Sequence, residues 1–296
     1  MNTPKLFLPL GALLFGALTA TAAPLQPEQV SSKANWFIHA DLDELRTTQV
    51  GTTLMEAVEK EHGRQLKAVK RMFSLNPFTD LHGITLYGSG SKDEAVALIN
   101  ATCDREHLED LIGASKEYET TDHHSNTIHS WKDDKGKVQH GAFFGESLVV
   151  ISERKKLVGH ALDVLDKRID SMDAMSTKSA FMFGLVNLDG IDVKGDEAKM
   201  FEKAKSLQGR LFEQGDRLHA EIVIEAADKA LAQRFQKVLD GIVALGELAN
   251  EDLAALELGM TTTITDGNKV TATMSVPNDR ILELMEEAGE LGDLVD

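Results

Sequence analysis

The sequence predicts an α+β protein made of two related halves, each mainly antiparallel sheet with helices packed on one face. Two observations carry this. Apolar runs with strand periodicity come as hairpins separated by amphipathic helices, a layout that favours antiparallel sheets with one covered face. Ala34 to Leu45 can also be laid without gaps on Ala180 to Ile191, with Ala34, Phe37, Leu42 and Asp43 matched identically, and the same order of elements follows both segments.

Before the first strand stands a segment of a different kind. Lys5 gives a positive start, Leu6 to Leu18 is apolar, and Ala20-Thr21-Ala22 has the small-x-small form of a signal-peptide cleavage site. An apolar run of roughly 13 residues is short for a hydrocarbon core that needs about 20, so the expectation is a cleaved signal rather than an anchor. The mature chain is expected to be secreted, periplasmic or extracellular. The only cysteine, Cys103, is far from the cleavage point, which argues against a lipid anchor and excludes an internal disulfide. The expected organisation is a signal at 1–22, a first half at 23–170, a join at 171–178 and a second half at 179–296 with an acidic tail.

In the first half, Trp36 to Ala40 reads as a strand, and Asp41 with Glu44 makes a capping pair for a helix through Leu54, Met55 and Val58. That helix is expected to end near Glu61 to Gly63, with a second helical piece closed by Asn76-Pro77. Ile84 to Tyr87 and Ala95 to Ile99 read as strands, and Asp104 opens a helix through Leu108 and Ile112. A hairpin around Asp133 to Gly136 follows. The strand Gly145 to Ile151 then leads, through a Ser152 cap, into a helix ending near Leu165.

In the second half, Leu218, Ala220, Ile222, Ile224 and Ala226 fall on one face of a strand. Asp228 caps a helix with Leu231, Phe235, Val238, Leu239 and Ile242 at helical spacing. Asp266-Gly267 between alternating Thr-rich runs is a hairpin signal, and Asn278 opens the last helix. The layout resembles that of uncharacterised families of exported bacterial proteins, in which an apolar strand running into an Asp-Leu-Asp helix start recurs in each half. The resemblance implies no activity.

The formal net charge is −17, and removing Lys5 with the signal makes it −18. A field of that sign repels phosphate backbones and anionic head groups, so nucleic acid is excluded as a partner and no membrane insertion is expected after cleavage. A protein partner, a cationic ligand or a divalent metal fits better.

Asp122-His123-His124, His129 and His140 hold four of the chain's ten histidines, and imidazole with carboxylate is metal-ligand chemistry. A two-residue turn at Asp134-Lys135 pairs positions summing to 269 and sets His129 opposite His140; a turn at Lys135-Gly136 pairs positions summing to 271 and separates them. Gly88-Ser89-Gly90-Ser91-Lys92 allows a Ser89/Lys92 hydrolase pair, but Gly-Ser-Gly is first of all turn chemistry. Ser152 to Lys155 also fits Ser-x-x-Lys. Asp163, Asp166, Asp170 and Asp173 are spaced as a solvated helix face. With no catalytic motif surviving, the expectation is a non-catalytic exported protein in a binding, scaffolding or sensing role, with a divalent-metal site or an unrecognised hydrolase site as alternatives.

Overall fold

The computed structural model describes residues 24–91, 94–115, 117–133, 135–173, 175, 179–188, 203–249 and 258–292. The expected signal, Lys92, the acidic run after Leu188 and the last four residues lie outside them.

A 3-10 turn, Pro27–Gln29, leads to the first strand, Trp36–Asp41 (β1). Asp41 ends the strand and caps the next helix, because its carboxylate accepts the Glu44 N–H at 2.9 Å. That helix, Leu42–Thr47 (α1), is shorter than its apolar spacing suggests: Thr48 turns extended and its hydroxyl caps a second helix by accepting the Gly51 N–H at 2.9 Å. Only glycine fits at position 51, since a Cβ there would overlap the Leu45 carbonyl oxygen. The second helix, Gln49–Phe73 (α2), carries the break expected near Glu61 to Gly63 as a kink at His62 and stops at Ser74 in left-handed conformation.

The first half continues with Leu81–Gly88 (β2), Ala95–Ala101 (β3), Arg105–Gly113 (α3), Glu119–His123 (β4), Asn126–Lys132 (β5), Val138–Phe144 (β6), Leu148–Ser152 (β7) and Lys155–Leu165 (α4). Ser152 is the last residue of β7 and its hydroxyl donates to the Ala95 carbonyl at 2.7 Å, so it joins strands rather than capping α4, whose N-cap is Arg154. The second half contains Met182–Asn187 (β8), Ala204–Gln214 (β9), Arg217–Ala226 (β10), Lys229–Ala249 (α5), Gly259–Thr265 (β11), Lys269–Pro277 (β12) and Asn278–Gly292 (α6). β9 is absent from the expectations above. It pairs with β10 through the two-residue turn Gly215-Asp216, with Gly215 at φ 64°.

The twelve strands among the described residues form one antiparallel sheet in the order β11-β12-β10-β9-β8-β1-β2-β3-β7-β6-β5-β4. The order β8-β9-β10-β12-β11 repeats β1-β2-β3-β7-β6, and the first half adds the hairpin β4–β5 at its edge. The fold is thus α+β, with two related halves meeting where β1 pairs with β8. Phe37 lies opposite Leu185 there, and its ring stacks 5.7 Å from that of Phe183.

Directly paired residues share a face of the sheet, so register links the halves. Leu98 pairs with Val150 and Thr85, Thr85 with His39, His39 with Phe183, Phe183 with Arg210, and Arg210 with Glu221. The side on which Val158, Ala161 and Leu162 of α4 cover Leu98 and Val150 therefore becomes a polar face in the second half. There the Arg210 guanidinium forks onto the Glu221 carboxylate at 2.8 and 3.0 Å. Ala232 and Phe235 of α5 instead pack on Ile224, Ala226 and Val270, which face the other way. Each half has its own main core, and the two cores lie on opposite sides of the sheet. On the α5 side, Ile38, Leu86 and Met182 at the sheet centre stay 48%, 41% and 42% exposed.

Candidate metal centre

The added hairpin β4–β5 lies against α4, and the two together bring imidazoles to a carboxylate. His123 pairs with Asn126, which leaves His124 and Ser125 as the turn, with His124 at φ 55°. A non-glycine residue in that region carries strain that its contacts must offset. The His124 ring meets the edge of the His123 ring at 4.7 Å, and its Nε2 stands 3.4 Å from Asp163 Oδ1. His123 Nε2 is 2.9 Å from the same oxygen.

Gly159 lies one helical turn before Asp163 on the same face of α4. It gives His123 its room: a Cβ at 159 would stand 3.0 Å from His123 Cε1. Two further contacts hold hairpin to helix, Asn126 Nδ2 donating to Asp166 at 3.2 Å and Lys155 Nζ donating to Thr121 Oγ1 at 3.0 Å.

His123, His124 and Asp163 each offer one ligand atom, and all three atoms lie within 4.8 Å of one another. Two atoms bound at about 2.0–2.1 Å to a tetrahedral ion stand about 3.3 Å apart. The two separations from Asp163, 2.9 and 3.4 Å, bracket that value. Two imidazoles and a carboxylate suit zinc and its borderline neighbours. The cluster opens on a groove of about 600 Å³ lined by Asp122, Lys155, Lys156 and His160, which leaves space for a water or an anion in a fourth position.

The other sequence candidates are placed elsewhere. Asp122 borders the groove but is not in the three-ligand cluster. The β5–β6 register follows neither expectation, since pairs sum to 270: Ser130 lies opposite His140 and His129 opposite Gly141. The turn is longer than two residues because the Asp133 carboxylate accepts the N–H of Lys135 at 3.0 Å and of Lys137 at 2.8 Å. His129 and His140 consequently occupy opposite faces of the sheet and do not share a site. His129 bonds Tyr118 through Nδ1 at 2.8 Å, and its Nε2 is 3.9 Å from Glu109. Burial, helped by Arg105 and opposed by Glu109, holds its pKa below the ordinary value. His140 bonds Ser130 at 2.8 Å, and burial together with Lys155 depresses it likewise.

Ser89 donates to the Glu94 carboxylate at 2.8 Å, and Lys92, its expected partner, lies outside the described residues. Asp163 is the member of this cluster that sequence reasoning missed. Its spacing marks only a helix face, and it lies 40 positions from His123.

The chain matches no protein-family model and no curated protein. Among solved structures it is similar to the bacterial protein TP0453. Crystal form IV superposes with a TM-score of 0.51 at 8% identity, covering 91% of this chain and 99% of that one. Crystal form I gives 0.49 at 10% identity, covering 90% and 98%. At such identity the likeness concerns the fold alone.

Proposed function

We propose that the protein is an exported, non-catalytic binding protein, and that it holds a divalent metal ion between the β4–β5 hairpin and α4. The observation that carries the reading is the convergence of His123, His124 and Asp163 on one point within 4.8 Å. The signal-type segment at 1–22 supports export, and the strong negative charge supports a cationic rather than a phosphate-bearing ligand. His123 and His124 supply nitrogen donors and Asp163 an oxygen donor, while Gly159 and the Asn126–Asp166 contact fix the approach of hairpin to helix. Lys155 and Lys156 at the groove balance an anion in the fourth position.

The test is metal content of the tag-free mature protein by elemental analysis, repeated after zinc challenge, beside the His123→Ala/His124→Ala variant. The reading requires near-stoichiometric metal that the variant loses. Equal metal in both, or none in either, rejects it.

A further inference from the structure

The sheet has two edges among the described residues, β4 and β11, and they differ in how they meet solvent. An edge strand turns alternate N–H and C=O groups outward, and short length, charge, proline or a bulge normally keeps such a row from pairing with another chain. β4 has those defences: it is five residues long and carries Glu119 and Asp122. β11 has none of them. Its seven residues, Gly-Met-Thr-Thr-Thr-Ile-Thr, include no charge and no proline, and all seven pair with β12 in unbroken register. A charge-free edge is notable on a chain in which 27% of residues are charged.

Register assigns the two faces of β11. Ile264 packs on the α5 core and Thr262 Oγ1 donates to Asp240 of α5 at 2.6 Å, so Met260, Thr262 and Ile264 face that helix. Thr261, Thr263 and Thr265 are exposed on the opposite, polar face, where Thr261 lies beside Thr273 and Thr263 beside Thr271 of β12.

The strand is complementary to itself. Antiparallel pairing about a two-fold axis through Thr262 sets Met260 against Ile264 of a second copy, and Thr261 against Thr263. Apolar side chains then meet on the helix side, and the threonine pairs of β11 and β12 run on into a ladder four strands wide, the cross-strand pairing that β-branched hydroxyl residues favour. The strand ends match as well. Gly259 has no side chain, and the Arg217 guanidinium lies over it, 3.6 Å from where a Cβ would stand. The axis brings Thr265 and the Asp266 turn of the second copy to that guanidinium, and does so twice. Gln236 and Asp240 reach Thr262 from α5, so the same axis lays the two α5 helices antiparallel beside the seam, amide donors and carboxylates of both copies along it. An isologous contact of this kind closes at two copies. We propose that the protein forms a two-fold dimer by β11–β11 pairing, with one sheet continuing through both copies.

The experiment is sedimentation velocity of the mature protein from micromolar to millimolar concentration, in chelator so that metal bridging is not read as dimerisation. The variants are Thr261→Lys/Thr263→Lys and Thr261→Glu/Thr263→Glu, which set like charges opposite each other in the proposed register. The expected result is a monomer–dimer equilibrium of the parent that strengthens with added salt, because both copies are negative. Each variant alone should dimerise at least about tenfold more weakly. An equimolar mixture of the two should associate again, as lysines meet glutamates across the axis. The substituted positions are exposed, so circular dichroism melts of both variants should stay close to the parent. A parent that is monomeric throughout overturns the proposal, including one that instead takes up an extended peptide at this edge. So does a dimer as tight in either variant as in the parent, which would place the contact elsewhere, or a mixture that associates no better than its components.

Discussion

His123 Nε2 and Asp163 Oδ1 face each other at 2.9 Å across the seam between the β4–β5 hairpin and α4. The seam exists because Gly159 leaves the helix surface flat beneath the imidazole. Gly159→Ala should therefore displace His123 while improving helix propensity by up to about 1 kcal/mol. The expected outcome is a fall in zinc affinity of about tenfold or more with no fall in melting temperature, read from parallel titration and thermal scans.

Three histidines outside the His123–His124–Asp163 cluster, His129, His140 and His160, have pKa values lowered from 6.5, chiefly by burial. As pH falls, the unfolded chain takes up protons first, so stability is fully present above about pH 6.5 and declines below it until the folded imidazoles titrate. Denaturant midpoints should fall progressively from pH 7 toward 5. His140→Gln should remove up to about 1.4 kcal/mol per pH unit of that slope.

Phe37, 1% exposed, stacks on Phe183 where the halves share a strand pair. Phe37→Ala should cost about 3–5 kcal/mol. Because the sheet is continuous there, the loss is expected in a single cooperative transition followed by circular dichroism, not in the separate melting of one half.

On the polar face of the second half, Arg210 pairs bidentately with Glu221 and lies over the Phe212 ring at 4.7 Å. Lysine reproduces the charge but not the fork. Arg210→Lys should lower stability by about 1 kcal/mol, seen as a shifted urea midpoint with an unchanged m-value.

Most of the architecture was legible because it depends on local signals. Asp41, Asp104 and Asp228 cap helices as their positions suggest, with N–H groups of Glu44, His107 and Leu231 at 2.9, 3.1 and 2.8 Å. The matched segments Ala34 to Leu45 and Ala180 to Ile191 supply β1 and β8, the strands through which the halves meet. β9 was missed because its apolar alternation is diluted by Gly209 and by charged residues that pair across strands, although Gly215-Asp216 carried a turn signal. The candidate site was half legible. Composition drew attention to His123 and His124, but the carboxylate that meets them comes from α4, and His129 and His140 were separated by a turn whose length depends on one Asp133 side chain.

The most direct test is anomalous diffraction at the zinc edge from crystals of the mature protein soaked in zinc. The account predicts one strong peak about 2.0–2.2 Å from His123 Nε2, His124 Nε2 and an Asp163 oxygen. A peak at His129 or His140 instead, or no peak in a crystal with this groove open to solvent, would contradict it.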